Sequence, residues 1–263
     1  MPKKVVYLHQ SFTKKIMGQI SYTSFSECGT RRDNEDYCEV VANPGKDQYL
    51  FVVCDGMGGQ NKGDLASSLA VSTIVSSFKN RKGFLNSYFA KLWVGRVIRE
   101  ANKSIYDQSQ SNPNYQGMGT TITLLLIIKD VAIMGHVGDS RCYFLKSHHD
   151  LVQMSEDQTY VGYLLRTGQI TAEEALTHPK RHVLMNALGV YPSASIDIKV
   201  FPYLNEEVLL CSDGLYNNVP VEDIAAVVKG SDSVDQKVNE LIAIGNKNGG
   251  SDNIAVVLWE AQS

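Results

Sequence analysis

Two almost wholly apolar runs in this chain end in the same way. Residues 50–54 read LFVVC and stop at Asp55-Gly56, and residues 208–211 read VLLC and stop, one serine later, at Asp213-Gly214. A run without polar alternation is a strand covered on both faces. The fold must therefore bury sheet between further layers. A carboxylate that closes such a strand is carried to the margin of the core, and glycine beside it lets other backbone or a ligand come close. Residues 122–128, ITLLLII, have the same apolar character and are separated from VAIM by Lys129-Asp130 alone, which reads as a tight antiparallel hairpin with an unusual lysine in its turn.

The rest of the order narrows the class. Residues 19–26, 37–41 and 49–54 read as strands, followed by helices over about 62–78 and 84–110. The second helix carries Val94, Ile98, Ala101 and Ile105 on one face, and the polar run SQSNPNYQ ends it. Strands follow at 142–145 and 151–154. Residues 158–186 turn helical but short and polar, with Thr171 as an N-cap and Glu174 three positions on. Strands at 196–200, 208–211 and 254–259 complete the set, with helices near 221–228 and 234–245. Regular strand–helix alternation is missing, so antiparallel sheets with helices packed outside, an α+β fold, suit the order better than a doubly wound sheet. No stretch rich in Pro, Gly or Ser divides the chain. The expectation is one domain over 1–263, with a short leader at 1–18 and an inserted flap at about 148–190.

Charge bears on partners. The net formal charge is −3 and charged residues make up 20% of the 263, a balance that argues against nucleic acid as the main partner. No apolar block approaches the length of a bilayer span, so no membrane segment is expected. The five cysteines (Cys28, Cys38, Cys54, Cys142 and Cys211) are scattered, with no CxxC pair, and read as reduced thiols of a cytoplasmic protein.

Acids at the ends of apolar strands are the chemically informative feature. Glu35 and Asp36 follow Arg31, Arg32, Asp33 and Asn34. Asp55 ends one strand, Asp139 follows VAIMGHVG, Asp213 ends another, and Asp252 precedes the last. Any one of them alone is a turn aspartate bonding local amides. Together they would repel one another at buried ends, and a hard divalent cation would relieve that. Oxygen ligands without His or Cys favour magnesium or manganese. Two such ions about 4 Å apart can acidify a shared water and hold a phosphate for in-line attack. Arg31 or Arg32 would match phosphate oxygens with its fork. His136 reads as a core histidine, and Cys54 and Cys211 sit among apolar neighbours that raise a thiol pKa.

GTRRDNED at 29–36, DGMGG at 55–59, MGTT at 118–121, GDSR at 138–141, SDGLYN at 212–217 and GGSDNI at 249–254 occur in this order. Together they resemble the type 2C metal-dependent protein serine/threonine phosphatases, and the segment GQITAEEALTHPKRHVLMNALG resembles the flap of the bacterial branch. The resemblance implies a four-layer αββα sandwich, with two central antiparallel sheets flanked by antiparallel helix pairs. It implies two Mn2+ or Mg2+ ions and a third, weaker one. By analogy Asp55 bridges the first two, with Asp213 and Asp252 on one and Asp36 and the Gly56 carbonyl on the other, Glu35 acting through water. Asp139 joins Asp213 at the third. Arg31, rather than Arg32, holds the register of the phosphate-binding arginine, and a bridging water or hydroxide attacks phosphorus. Animal members carry a histidine where Met57 stands here. Phosphoprotein substrates, an opposing Ser/Thr kinase and a monomeric state are further expectations. A hydrolase of small phosphoesters and a catalytically silent phosphoprotein-binding scaffold are the alternatives.

Overall fold

The computed structural model describes residues 14–15, 19–58, 62–146 and 150–261; most of the expected leader, 1–18, lies outside them. The strands are β1 (Lys14–Lys15), β2 (Gln19–Glu27), β3 (Asp36–Asn43), β4 (Gln48–Met57), β5 (Gly119–Thr120), β6 (Ile122–Ile128), β7 (Val131–Val137), β8 (Arg141–Leu145), β9 (Leu151–Gln153), β10 (Asp197–Pro202), β11 (Glu207–Cys211) and β12 (Ile254–Ala261). The helices are α1 (Gly63–Lys79), α2 (Ser87–Ser111), α3 (Tyr160–Arg166), α4 (Ala172–Thr177), α5 (Asp213–Tyr216), α6 (Val221–Lys229) and α7 (Val234–Lys247).

Two sheets form, in the orders β1-β2-β12-β11-β8-β9 and β10-β7-β6-β4-β3, with β5 attached to β4. Every strand pairing is antiparallel. The apolar runs have a direct cause. On β4, Leu50, Val52 and Cys54 join the core shared with α1 and α2, whereas Tyr49, Phe51 and Val53 join the core between the sheets. On β12, Ala255, Val257 and Trp259 face that same inter-sheet core, and Ile254, Val256 and Leu258 pack with α6 and α7. Side chains alternate across a strand, so a sheet covered on both sides needs apolar residues at every position. The layers run α1/α2, sheet, sheet, α6/α7, the expected αββα sandwich.

Local chemistry sets the element ends. Asn86 caps α2 by accepting from the Phe89 amide, and Thr171 and Glu174 close a reciprocal capping box on α4. Lys129 takes the left-handed conformation, φ 53°, at the two-residue β6–β7 turn. Ser233 and Gln236 form a second capping box at α7. The stretch expected to be helical over 158–186 holds two short helices, α3 and α4, with irregular chain between and after them. Pro202 is tolerated because β10 is an edge strand. Among the described residues no helix is long and apolar enough to cross a membrane.

Candidate metal centre

The β3–β4 hairpin places Asp36 directly opposite Asp55 in the ladder. Opposed residues project from the same face about 5 Å apart, so two carboxylates stand side by side. β4 continues into Gly56, whose amide donates to the Glu35 carbonyl at 3.1 Å. The backbone of Asp55 is pinned: its amide donates to Thr121 Oγ1 (3.0 Å), and its carbonyl accepts from the Thr121 amide (2.8 Å) and Thr120 Oγ1 (2.8 Å). Asp213 enters from the other sheet, just after β11 at the first position of α5, and Asp252 stands two residues before β12. Asn253 fastens the acidic loop to this end. It accepts from the Glu35 amide at 2.8 Å and donates to the carbonyls of Cys28 (3.1 Å) and Asp33 (2.9 Å).

Three backbone segments meet here without room for a methyl group. A Cβ on Gly56 would lie 2.2 Å from the Gly63 carbonyl oxygen and 2.6 Å from that of Glu35. Gly63, at the start of α1, donates its amide to Glu35 Oε1 at 3.1 Å. The carboxylate thereby meets the positive end of the helix. Gly56→Ala is accordingly expected to destabilise the protein by about 3 kcal/mol or more, by overpacking against fixed backbone. A chemical-denaturation midpoint equal to that of the wild type would contradict this crossing.

Arg31, Glu35, Asp55, Gly56, Asp139, Asp213 and Asp252 all line one cavity of about 480 Å³, open to solvent. Asp36 is 3% exposed and Asp139 7%. Arg31 rather than Arg32 faces the cavity. Its Nη2 donates to Asp252 Oδ2 at 2.9 Å and its Nε to the Ser251 carbonyl at 2.8 Å. Met57 lines the cavity too, as do Arg181 and His182 from the segment after α4.

The carboxylates are held together against their charge. Burial, followed by repulsion from Asp36, Asp213, Asp139 and Asp252, raises the Asp55 pKa well above the usual carboxylate range. Burial again dominates at Asp36, with repulsion from Asp213, Asp252 and Glu35 added and a hydrogen bond with Ser212 opposing it. Asp139 is pushed up to about 8, first by burial and then by Asp213 and Asp157, with Arg141 pulling the other way. Asp213 and Glu35 are raised as well, both chiefly by burial. Asp36 Oδ2 is buried without any hydrogen-bond partner.

That orphaned oxygen, in an all-oxygen donor set of mutually repelling acids, fits a hard divalent cation. Among the described residues no three His, Cys, Asp or Glu side chains already stand in a metal-holding group.

Around the acids lie groups whose contacts the sequence did not specify, although several belong to the same motifs. Asn217 donates to Asp213 Oδ2 at 3.0 Å. Tyr216 donates to the Asp139 carbonyl at 3.1 Å, and the Arg141 guanidinium lies 3.6 Å above its ring while pairing with Asp157 at 2.7 Å. His136 is fully buried between Thr123 Oγ1 (3.0 Å) and the Glu156 carbonyl (3.1 Å), as a core histidine should be. Burial raises the thiol pKa of Cys54, Cys142 and Cys211, which leaves them poor nucleophiles.

The protein phosphatase 2C family model matches residues 29–258. The chain belongs to the protein phosphatase 2C family. A serine/threonine phosphatase, Stp, of Listeria monocytogenes is 38% identical over 231 residues, covering 88% of this chain and 91% of that protein. The crystal structure of the serine/threonine phosphatase Stp1 from Staphylococcus aureus superposes with a TM-score of 0.86 at 29% identity, over 98% of this chain and 100% of that one. The catalytic domain of PstP, crystallised in complex with 2 manganese ions, superposes with a TM-score of 0.79 at 29% identity, over 93% of this chain and 99% of that one. In this 2C-type protein phosphatase the acidic cavity lies at one end of the sandwich, where strands of both sheets finish.

Proposed function

We propose that this chain is a protein serine/threonine phosphatase that hydrolyses phosphoserine and phosphothreonine monoesters at the acidic cavity. The observation that carries this is the convergence of carboxylates from both sheets, Asp55 from one and Asp213 from the other, on a single solvent-open cavity beside Arg31, with Asp36 buried opposite Asp55 in the ladder rather than lining the cavity itself. The relatives that bear the same activity in their names support it.

Asp55 would hold two ions in common, Asp213 and Asp252 completing the first, and Asp36 with the Gly56 carbonyl serving the second. Two Mn2+ or Mg2+ ions, when bound, would supply Lewis-acid charge and a water acidic enough to act as nucleophile near neutral pH. Glu35 already accepts from the Gly63 amide while Asp36 Oδ2 has no partner. That contrast supports Asp36 as the direct ligand and Glu35 as one acting through water. Asp139, with Asp213, would hold a third and weaker ion.

Arg31 would bind the phosphate. Its pairing with Asp252 is exposed, with side chains 56% and 40% accessible, and an exposed pair is worth about 0–1 kcal/mol. The guanidinium can therefore turn toward a phosphoryl group at little cost and meet its growing charge with parallel N–H bonds. Its substrates are phosphoproteins made by an opposing Ser/Thr kinase, and the chain acts as a monomer. Five free thiols support a reducing, cytoplasmic setting.

The test is turnover of a phosphothreonine peptide, a nucleotide and an oligonucleotide by the same preparation, with Mn2+ and after chelation. Metal-dependent turnover of the peptide well above the other two is expected, and Arg31→Ala should lower its kcat/KM by about 100-fold or more. Peptide turnover that survives thorough chelation would refute the reading, as would an Arg31→Ala enzyme of undiminished kcat/KM.

A further inference from the structure

Far from the acidic cavity, the connection between α1 and α2 carries a second unusual surface. Residues 79–99 contain six basic residues, Lys79, Arg81, Lys82, Lys91, Arg96 and Arg99, and no acid, within a chain whose net charge is −3. Glu39 neutralises Lys79 (2.9 Å) and Glu100 lies 3.7 Å from Arg96. Among the described residues the other four cations have no ion-pair partner. The same stretch exposes large apolar side chains: Leu85 is 93% accessible, Tyr88 65%, Leu92 53% and Phe89 49%. Tyr88, Leu92, Arg96 and Arg99 follow at intervals of four, four and three, which puts them along one face of α2. Folding gains nothing from leaving such a cluster in water.

Between Arg81 and Arg96 lies a slot of about 410 Å³, lined also by Gly83, Leu85, Phe89, Leu92 and Trp93. The Arg81 guanidinium sits 4.5 Å above the Phe84 ring, and its Nε is buried with no hydrogen-bond partner. A cationic slot with an apolar wall fits a phosphodiester carried on an acyl chain. Around it, a protruding tip with Leu85 at its apex and lysines on its flanks has the composition of a surface that lies on a membrane rather than crossing one.

We infer that the α1–α2 tip docks this phosphatase on anionic phospholipid, with Leu85, Tyr88, Phe89 and Leu92 entering the headgroup region and Arg81, Lys82, Lys91 and Arg96 meeting lipid phosphates. The geometry leaves catalysis free. α1 begins at Gly63 beside Glu35 and runs 17 residues to Lys79, so the docking tip is about 25 Å from the acidic cavity, at the other end of the helix. The docked enzyme keeps its mouth open to phosphoproteins.

Cosedimentation of the full chain, in Mn2+, with vesicles of phosphatidylcholine alone or mixed equally with phosphatidylglycerol tests this. Partition onto the mixed vesicles should exceed that onto neutral ones by about tenfold or more and fall as salt is raised. The exposed double variant Lys82→Glu/Lys91→Glu, and separately Leu85→Asp, should each lower that partition about tenfold while phosphopeptide turnover in solution stays at the wild-type rate. Equal partition onto both vesicle types overturns the inference. So does wild-type partition by both variants, or saturable binding of a peptide rich in Asp and Leu at this tip with no vesicle binding, which would assign the surface to a protein partner.

Discussion

Asp55→Asn is expected to abolish phosphopeptide turnover, by at least about 100-fold, without unfolding the protein. The substitution keeps the shape of the side chain and removes the one charge proposed to serve both ions. It also removes a buried charge that Asp36, Asp213, Asp139 and Asp252 all repel. In the absence of metal the variant should therefore melt at the wild-type temperature or above it. Its stabilisation by Mn2+ should shrink at the same time. This combination separates a ligand from a merely structural residue, whose loss would lower both activity and metal-free stability. An Asp55→Asn enzyme with a tenth of wild-type turnover or more would remove Asp55 from the centre of the scheme. Asp213→Asn should behave in the same way, since Asp213 is the acid that the second sheet contributes.

Metal removal should change stability, and the change should depend on pH in a defined direction. Asp36, Asp55, Asp139 and Asp213 all have folded-state pKa values raised above the unfolded value of about 4. Between the two values the native state binds more protons than the unfolded state, so stability falls as pH rises. For Asp139 the window runs from about 4 up to about 8. A divalent cation bound among these acids would take over the role of those protons. Melting temperatures in chelator should thus decline across this window, and the increment given by Mn2+ should grow with pH. At a hundredfold excess over its Kd, one bound ion adds about 2.7 kcal/mol, or roughly 5–10 °C for a chain of this size. Melting curves at several pH values, with chelator or Mn2+, measure both trends. A metal increment that is absent, or that shrinks toward pH 8, would contradict the charge balance described for these acids.

Much of this architecture was legible because burial on two faces leaves a direct trace. β4, β6, β11 and β12 are apolar at nearly every position, since each is sandwiched between a helical layer and the opposite sheet. Their terminal acids stood out against that background, and the same acids gather at the cavity. What could not be read were partners joined once across great sequence separation. Asn253 ties the loop around Glu35 to the last strand through three bonds that span more than 200 residues. Thr120 and Thr121 grip the Asp55 backbone from 65 and 66 positions away. Neither creates any local periodicity. Arg181 and His182 reach the cavity from a polar segment where irregular chain obeys no repeat, so nothing in the sequence placed them there. The engagement of Arg31 by Asp252 and Ser251 was equally invisible, because it depends on two loops that meet only in the folded chain.

The opposed pair Asp36 and Asp55 rides on one sheet, while Asp213 and Asp252 adjoin strands of the other. Within each sheet the backbone ladder sets the spacing of its acids, but the gap between the two pairs is set by how one sheet rests on its neighbour. Phe51 and Trp259, whose rings meet edge to face with centroids 5.1 Å apart, act as a spacer at that seam. Any sliding of one sheet over the other would open or narrow the jaws of the site as calipers do, so the calibration of the acidic end resides in greasy contacts that lie outside the cavity.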